Sequence, residues 1–306
     1  MMMRGKIGLA LGGGVARGWA HIGVLNALEK AGIRPDVVAG TSIGAVAGGC
    51  YVGGKLDTLE EFARSLTRRK VFGFLDFNLA GTGLISGERL NDLLNIHLGH
   101  QQIETLERKF VAVATEIGTG HEVWLSRGGL IDAMRASYAL PGIFKPIKLD
   151  GRWLFDGAIV NPVPVSVCRA LGATVVIAVN LQHDAFGKGT VLANSLADEM
   201  EVVALPPPKE VAGLKGGALR LLHRQFFGQG NDTPGISTVM MEALNITQDR
   251  IARSRLAGDP PDFTITPRLG GFGAFDFHRA DEMILAGAAA TERALADIRH
   301  SIPAVA

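Results

Sequence analysis

The chain has 306 residues, 47% of them hydrophobic, and its formal net charge is +1 at pH 7. That length allows one or two domains with a large hydrophobic core. A near-neutral chain lacks the basic face that phosphate contacts require, so we expect no nucleic-acid partner. The 40 glycines show no period, which excludes a collagen-like fibre.

Short apolar runs alternate with amphipathic segments, which is the pattern of an α/β protein. Single strands are predicted at residues 6–11, 36–40, 173–181 and 262–267. Two strands are predicted within 109–126, around a Gly-Thr-Gly turn, and a hairpin at 147–158 turns at Asp150-Gly151. Helices are predicted at residues 18–31, 43–54, 56–68, 86–98, 236–258 and 278–299. We expect a three-layer α/β sandwich with a mostly parallel central sheet.

The composition changes between residues 183 and 235, where three prolines at 206–208 precede a mixture of basic and apolar residues. Two interpretations stay open for this segment. It could be a cap whose apolar face meets lipid, or a helical insertion packed on the core or on a second subunit. We therefore expect one domain over residues 1–306, with a lid, membrane-facing or dimerisation insertion at about 183–235.

The beginning of the chain shows no convincing signal peptide, because the apolar run after MMMRGK ends in glycines. No run of about 18 apolar residues predicts a membrane-spanning helix. The two cysteines, Cys50 and Cys168, form no C-x-x-C pair, and we expect buried thiols rather than a disulfide. These features favour a cytoplasmic protein whose membrane contact, if any, is peripheral.

The segment VVAGTSIGAVAGG contains a G-x-S-x-G motif at residues 40–44. In this motif a strand turns sharply into a helix, and the serine stands at the apex of the turn. Gly40 and Gly44 carry no Cβ that would clash there, and the helix N-terminus favours negative charge. A predicted strand precedes the motif and a predicted helix follows it. We therefore predict that Ser42 is a nucleophile rather than a helix-capping serine.

The glycine-rich stretch LALGGGVARGWAHIGVL, residues 9–25, joins the first predicted strand to the first helix. A dinucleotide fingerprint needs a third glycine where Arg17 stands, although the looser spacing of Gly12, Gly14 and Gly18 fits. Asp36, at the start of the next strand, is badly placed to bind a ribose. An oxyanion hole needs only two or three backbone N–H groups near the nucleophile. Both interpretations stay open on the residues alone.

A serine nucleophile needs a base, and hydrolases commonly supply a histidine late in the chain. The chain has eight histidines, none in a tight motif at a predicted strand end, at positions 21, 97, 100, 121, 183, 223, 278 and 300. We expect His21, inside the first predicted helix, to be a packed or surface residue. Asp156, in WLFDGAIVNPVP, follows a predicted strand and precedes Gly157, which makes it a better candidate for the base. An ordinary Asx-turn is the alternative.

Three motifs in this order, GGGVARG, GTSIG and DGA, resemble those of the patatin-like phospholipases. The resemblance runs from residue 5 to about 182 and includes the segments ASYALPGIF and NPVPV. The stretch ALNITQDRIARSRLAGDPPDFTITPRLG is similar to a bacterial branch of that family with about the length of this chain.

The resemblance implies a Ser–Asp dyad on an α/β sheet, with Ser42 as the nucleophile and Asp156 as the base. It also implies that the glycine-rich loop forms the oxyanion hole, with Arg17 beside the N–H donors Gly13, Gly14 and Val15. Val15 departs from the family pattern, in which many members carry glycine. The matching motif glycines are Gly12, Gly18, Gly40, Gly44 and Gly157.

Residues and resemblance together predict a serine-dependent lipid acyl hydrolase of the phospholipase A, lysophospholipase or carboxylesterase type, with no metal or other cofactor. The expected partner is a lipid or acyl-ester substrate, and a homodimer is left open. A carboxylate with the ordinary pKa of about 4 is a weak base, so either burial has to raise the pKa of Asp156 or the attack by the serine has to be strongly concerted. The alternatives are a nucleotide-binding protein, a non-catalytic regulatory protein on the same fold, and a Ser–Asp–His hydrolase that uses His183, His223 or His278.

Overall fold

The computed structural model describes residues 5–68, 71, 88–184 and 236–301. The described residues up to 184 and from 247 to 301 belong to one compact unit. Apart from residues 183 and 184, the insertion expected at about 183–235 lies outside the described residues. Its role stays a prediction.

Strands and helices alternate along the described chain. The strands are β1 (Ile7–Leu11), β2 (Val37–Thr41), β3 (Lys109–Glu116), β4 (Glu122–Leu125), β5 (Ile147–Leu149), β6 (Arg152–Asp156), β7 (Val175–Val179) and β8 (Phe263–Ile265). The α-helices are α1 (Ala20–Lys30), α2 (Ile43–Val52), α3 (Leu56–Ser65), α4 (Glu88–Leu98), α5 (Leu130–Tyr138), α6 (Val165–Ala170), α7 (Ile236–Gly258) and α8 (Ala280–Ser301). A 3-10 helix, Val15–Trp19, precedes α1.

The predicted elements are present, and the differences are at their ends. The helix predicted at 18–31 begins as the 3-10 helix and becomes α-helical only at Ala20, because the chain first turns away from β1 at the glycine-rich loop. The strand predicted at 173–181 is only five residues long. The hairpin turn is confirmed, since Asp150 and Gly151 have φ values of 47° and 80°, as a type I′ turn requires.

Five parallel strands form the centre of the sheet, in the order β3-β2-β1-β7-β8. β4 and β6 both pair with β3 in antiparallel fashion, and β5 pairs with β6. β4 occupies one edge of β3, opposite residues 112–115. The other edge is shared, because β2 pairs with β3 up to Val113 and β6 pairs with it from Ala114 onward. The C-terminal ends of β2 and β6 therefore meet beside β3.

Helices cover both faces of the sheet. One face packs against α1, α2, α5 and α8 in a cluster that includes Leu9 and Phe110. The other packs against α6 and the C-terminal half of α7, through Val167 and Ala252. The expected three-layer sandwich is confirmed. None of the helices in the described part of the chain has the length and apolar character needed to span a membrane.

Candidate active site

Ser42 stands between β2 and α2 in a conformation that few non-glycine residues adopt, with φ 57° and ψ −126°. Such strain costs on the order of 1–3 kcal/mol and persists only where the surroundings fix it. The side chain makes no capping hydrogen bond to α2. Instead, Ser42 Oγ donates to Asp156 Oδ2 at 2.5 Å. The helix-capping interpretation of Ser42 is therefore wrong.

The glycines on either side of Ser42 stand where backbone segments approach too closely for a side chain. A Cβ at Gly40 would overlap the backbone of Ala45 in the first turn of α2. A Cβ at Gly44 would overlap the carbonyl group of Leu11 at the end of β1. A larger residue at either position would push α2 away from the sheet and move the serine with it.

Strand register explains why Asp156 reaches Ser42 from a distant part of the sequence. Thr41, the last residue of β2, pairs with Val113 of β3. Asp156, the last residue of β6, pairs with Ala114, the next residue of β3 on the same edge. Consecutive residues of one strand thus hold the two strand ends, and the serine and the carboxylate meet at the junction.

Further hydrogen bonds fix the Asp156 carboxylate and backbone. Oδ1 accepts the N–H of Ala158 at 2.8 Å, which leaves Oδ2 for the serine. The backbone N–H of Asp156 donates to the carbonyl of Ala139 at 3.0 Å, and its carbonyl accepts the hydroxyl of Thr115 at 2.9 Å. The Asx-turn that the sequence analysis gave as the alternative is therefore present at Asp156. The same carboxylate also accepts the hydrogen bond from Ser42.

Asp156 is only 1% exposed. Burial raises its pKa from 3.8 to about 7, although the hydrogen bonds from Ser42 and Ala158 act in the opposite direction. A carboxylate with a pKa near neutrality is a better proton acceptor than one with a pKa of about 4. The raised pKa that a base at this position requires is therefore present.

Two polar residues that the motifs did not single out hold the nucleophile turn. Ser137 Oγ accepts the backbone N–H of Ser42 at 2.9 Å and donates to the carbonyl of Val113 at 2.6 Å. Thr41 Oγ1 donates to the carbonyl of Asn161 at 2.9 Å. Ser137 and Asn161 lie in the segments ASYALPGIF and NPVPV, which resemble the family pattern. That resemblance was the one feature of the sequence that could have pointed to these two residues.

The glycine-rich loop passes beside the serine. A Cβ built on Gly13 would lie 3.5 Å from Cβ of Ser42. The N–H groups of Gly12 and Gly13 are already used, since they donate to the carbonyls of Val179 and Pro162 at 3.1 and 3.0 Å. In this structure Gly13 therefore does not offer its N–H to an oxyanion, contrary to what the resemblance implies.

The next two N–H groups of the loop are different. Those of Gly14 and Val15 have no hydrogen-bond acceptor among the residues that the structure describes. Val15 has φ 52°, a rare conformation for a β-branched residue. Adjacent unpaired N–H groups at the start of a helix suit a negatively charged oxygen. Their role as donors stays a prediction.

Arg17 and two further motif glycines make packing contacts around the loop. Arg17 is buried, and its Nε donates to the carbonyl of Phe272 at 3.1 Å. A Cβ at Gly18 would overlap the side chain of Ile43, the residue after the serine. Gly157 leaves no room for a Cβ against the backbone of β3. An effect of the Arg17 charge on an oxyanion stays a prediction.

Histidines take no part in the described hydrogen bonds of the serine hydroxyl and the Asp156 carboxylate. His183 is exposed, and Nε2 of His278 accepts a hydrogen bond from Arg68 at 3.0 Å. His223 lies outside the described residues. Nothing in the described part of the chain therefore favours the Ser–Asp–His alternative.

The three motifs of the site all lie within one match to a known protein family. The family model for patatin-like phospholipases matches residues 9–169, a range that holds the glycine-rich loop, the G-x-S-x-G motif and Asp156. The chain belongs to the patatin-like phospholipase family. Membership of this family supports a lipid-hydrolase function.

Some relatives of this patatin-like chain match most of its length, and others match about half of it. An uncharacterised NTE family protein of Mycobacterium bovis is 32% identical over 328 residues, which cover 95% of this chain and 91% of the relative. A lysophospholipase of Emericella nidulans is 35% identical over 180 residues, or 57% of this chain and 12% of that protein. The structure of VipD from Legionella pneumophila matches with a TM-score of 0.51 and 13% identity, covering 96% of this chain and 67% of that one. At that identity the likeness is one of fold.

Proposed function

We propose that this chain is a serine-dependent lipid acyl hydrolase that cleaves carboxylic esters through an acyl-serine intermediate. The observation that carries the proposal is the 2.5 Å hydrogen bond from Ser42 Oγ to Asp156 Oδ2. The serine stands in a strained turn and the carboxylate is buried. That combination is typical of an activated nucleophile and its base.

In the first half of the reaction, Asp156 takes the proton from Ser42 Oγ while Oγ attacks the ester carbonyl carbon. The carbonyl oxygen becomes an oxyanion, which the N–H groups of Gly14 and Val15 bind. The tetrahedral intermediate then collapses, the bond from the carbonyl carbon to the leaving oxygen breaks, and Asp156 returns the proton to that oxygen. An alcohol or lysolipid leaves, and the acyl group stays on Ser42.

In the second half, a water molecule attacks the acyl-serine as Asp156 accepts one of its protons. A second oxyanion forms at the same loop, and its collapse releases the fatty acid and returns the proton to Ser42 Oγ. One carboxylate thus serves as base and acid in both halves. The raised pKa of Asp156 suits both roles, because the carboxylate can gain and lose a proton near neutral pH.

The substrate class rests on the family and its members. The matching family model is named for phospholipases, and the Emericella nidulans relative is a lysophospholipase. We therefore place the substrate among lipids that carry a fatty acyl ester, of the phospholipase A, lysophospholipase or carboxylesterase type.

Hydrolysis of a short p-nitrophenyl ester by point variants tests the proposal. We expect Ser42→Ala and Asp156→Ala each to lower kcat by a factor on the order of 10⁴, as loss of a nucleophile or its base does in serine hydrolases. Ser65→Ala and Asp57→Ala, at exposed positions of α3, are the matched controls and should keep wild-type activity. Full activity in either site variant, with circular dichroism showing a folded chain, would overturn the proposal.

A lipid survey identifies the natural substrate class. Extracted phospholipids and lysophospholipids are incubated with the wild-type protein or with Ser42→Ala, and the products are measured by mass spectrometry. We expect free fatty acid and a deacylated lipid to accumulate with the wild type alone. Consumption of a lipid without release of fatty acid would contradict acyl-ester hydrolysis.

A further inference from the structure

His21 is a fully buried histidine on α1 that the proposed reaction does not use. Its exposed fraction is 0%, and its Nε2 lies 2.7 Å from the carbonyl oxygen of Gly12. A carbonyl oxygen can only accept a hydrogen bond, so Nε2 carries the proton. Nδ1 has no partner among the described residues. Burial lowers the pKa of His21 to about 4, so at neutral pH the ring is neutral and protonated on Nε2.

The hydrogen bond from His21 is one of two that hold a single peptide group. The carbonyl of Gly12 and the N–H of Gly13 belong to the same planar trans peptide and point in opposite directions. His21 holds the carbonyl end, and the carbonyl of Pro162 holds the N–H end at 3.0 Å. Rotation of this peptide would break both hydrogen bonds, and an unpaired buried group costs about 1–3 kcal/mol.

The helix that carries His21 is itself held close to α8. A Cβ at Gly23 would overlap the carbonyl oxygen of Ile284, and a Cβ at Gly287 would overlap that of Ala20. The backbones of α1 and α8 are therefore in direct contact on both sides of His21. The imidazole projects from a rigid support, so it can fix the position of the Gly12 carbonyl.

We propose that His21 is a positioning residue of the oxyanion loop. By fixing the peptide between Gly12 and Gly13, it sets where the next two N–H groups, those of Gly14 and Val15, stand relative to Ser42. The inference rests on the proposed function. The N–H groups of Gly14 and Val15 then form a preorganised pair of donors whose position depends on the hydrogen bond from His21 to the Gly12 carbonyl. The N–H of Gly13 helps to hold the loop through Pro162 and does not bind the oxyanion.

Two amide variants separate the hydrogen bond from the bulk of the ring. Counted in bonds from Cβ, the amide nitrogen of glutamine corresponds to Nε2 of histidine, and that of asparagine corresponds to Nδ1. His21→Gln can therefore still donate to the Gly12 carbonyl, whereas His21→Asn cannot reach it. Both variants place a neutral amide in the same buried site, so they are matched in polarity. Leu28→Ala, another buried position of α1, controls for loss of stability alone.

We expect His21→Asn to lower kcat for the p-nitrophenyl ester about 10- to 100-fold, since misplaced oxyanion donors cost transition-state binding. KM should change less than about twofold, because the donors act on charge that the ground state lacks. The inhibition constant of an aliphatic trifluoromethyl ketone, whose serine adduct carries an oxyanion, should rise in parallel. His21→Gln should recover kcat to within about threefold of wild type, and Leu28→Ala should lower Tm without lowering kcat.

Equal kcat in the asparagine and glutamine variants would overturn the inference, whether both match the wild type or both are equally impaired. A change confined to KM would also overturn it. The proposed function is tested separately by Ser42→Ala. If Ser42→Ala stays active, the hydrolase proposal fails. If it is inactive while the two His21 variants behave alike, only the positioning role of His21 fails.

Discussion

Two residues near the site have a positive φ, Ser42 with φ 57° and Val15 with φ 52°, but their surroundings differ. The N–H of Ser42 donates to Ser137 and its hydroxyl donates to Asp156. The N–H of Val15 has no acceptor among the described residues. On the proposed mechanism, the nucleophile is complete in the resting protein. The loop keeps a free donor for charge that exists only in the transition state.

The pH dependence of activity tests the nucleophile side of this comparison and should show the largest effect among the predictions that follow from it. Asp156 accepts a proton only as a carboxylate, and its pKa is raised to about 7 by burial. We expect kcat/KM to fall about tenfold per pH unit below pH 7, hence about 100-fold at pH 5, and to level off above pH 7. A flat profile between pH 5 and pH 8, measured with the p-nitrophenyl ester, would contradict Asp156 as the base.

Ser137→Ala tests whether the partner of the Ser42 N–H matters to the turn. The change leaves the N–H of Ser42 and the carbonyl of Val113 without their hydrogen-bond partner. We expect kcat to fall about tenfold as the turn relaxes, with a loss of about 1–3 kcal/mol in the free energy of unfolding. Thr291→Ala, which removes a buried hydroxyl from α8, should lower stability but leave kcat unchanged. A Ser137→Ala variant with wild-type kcat would show that the turn holds its shape without this bond.

Asp156→Asn separates the stability of the site from its activity. The pKa of Asp156 is raised from 3.8 to about 7, so the folded state is progressively destabilised as pH rises between these values. The amide carries no charge and can still accept from Ala158 and donate to Ser42. The inactive variant should therefore gain stability over the wild type, on the order of 1 kcal/mol per pH unit from about pH 4 to about pH 7. Urea unfolding of both proteins at pH 5 and pH 8 measures the difference in free energy of unfolding between the variant and the wild type. A difference of equal size at both pH values would rule out this effect of the Asp156 pKa.

Val15→Gly should produce the smallest change. Glycine adopts a positive φ without strain and keeps the backbone N–H. We expect kcat to stay within about threefold of wild type and the free energy of unfolding to rise by about 0.5 kcal/mol, strain relief outweighing the added chain entropy. The control variant Val123→Gly, in β4, should instead lower the free energy of unfolding. A 100-fold drop in kcat for Val15→Gly would mean that the side chain, rather than the N–H, serves the site.

Local chemistry made part of this structure predictable. The Asp150-Gly151 turn, the strand–serine–helix turn at Ser42 and the turn after Asp156 are each encoded within a few residues of sequence. The partners of those turns are not. Ser137 lies 95 residues from Ser42, and the acceptor for the Gly13 N–H is the carbonyl of Pro162.

Tertiary contacts of this kind decide which loop N–H groups remain free, and the loop sequence alone contains no sign of them. The histidine on α1 shows the same limit. Its position inside a predicted helix gives no indication of a role at the site. Only the fold brings the ring of His21 to the Gly12 carbonyl.

Direct detection of the acyl intermediate tests the central claim, that Ser42 carries the acyl group during turnover. The wild-type protein is mixed with the p-nitrophenyl ester, quenched in acid within the first turnover, digested and measured by mass spectrometry. We predict the added mass of one acyl group on the peptide that contains Ser42, and no adduct in Ser42→Ala. An acyl group on a different residue would contradict the account, and so would hydrolysis by Ser42→Ala at the wild-type rate.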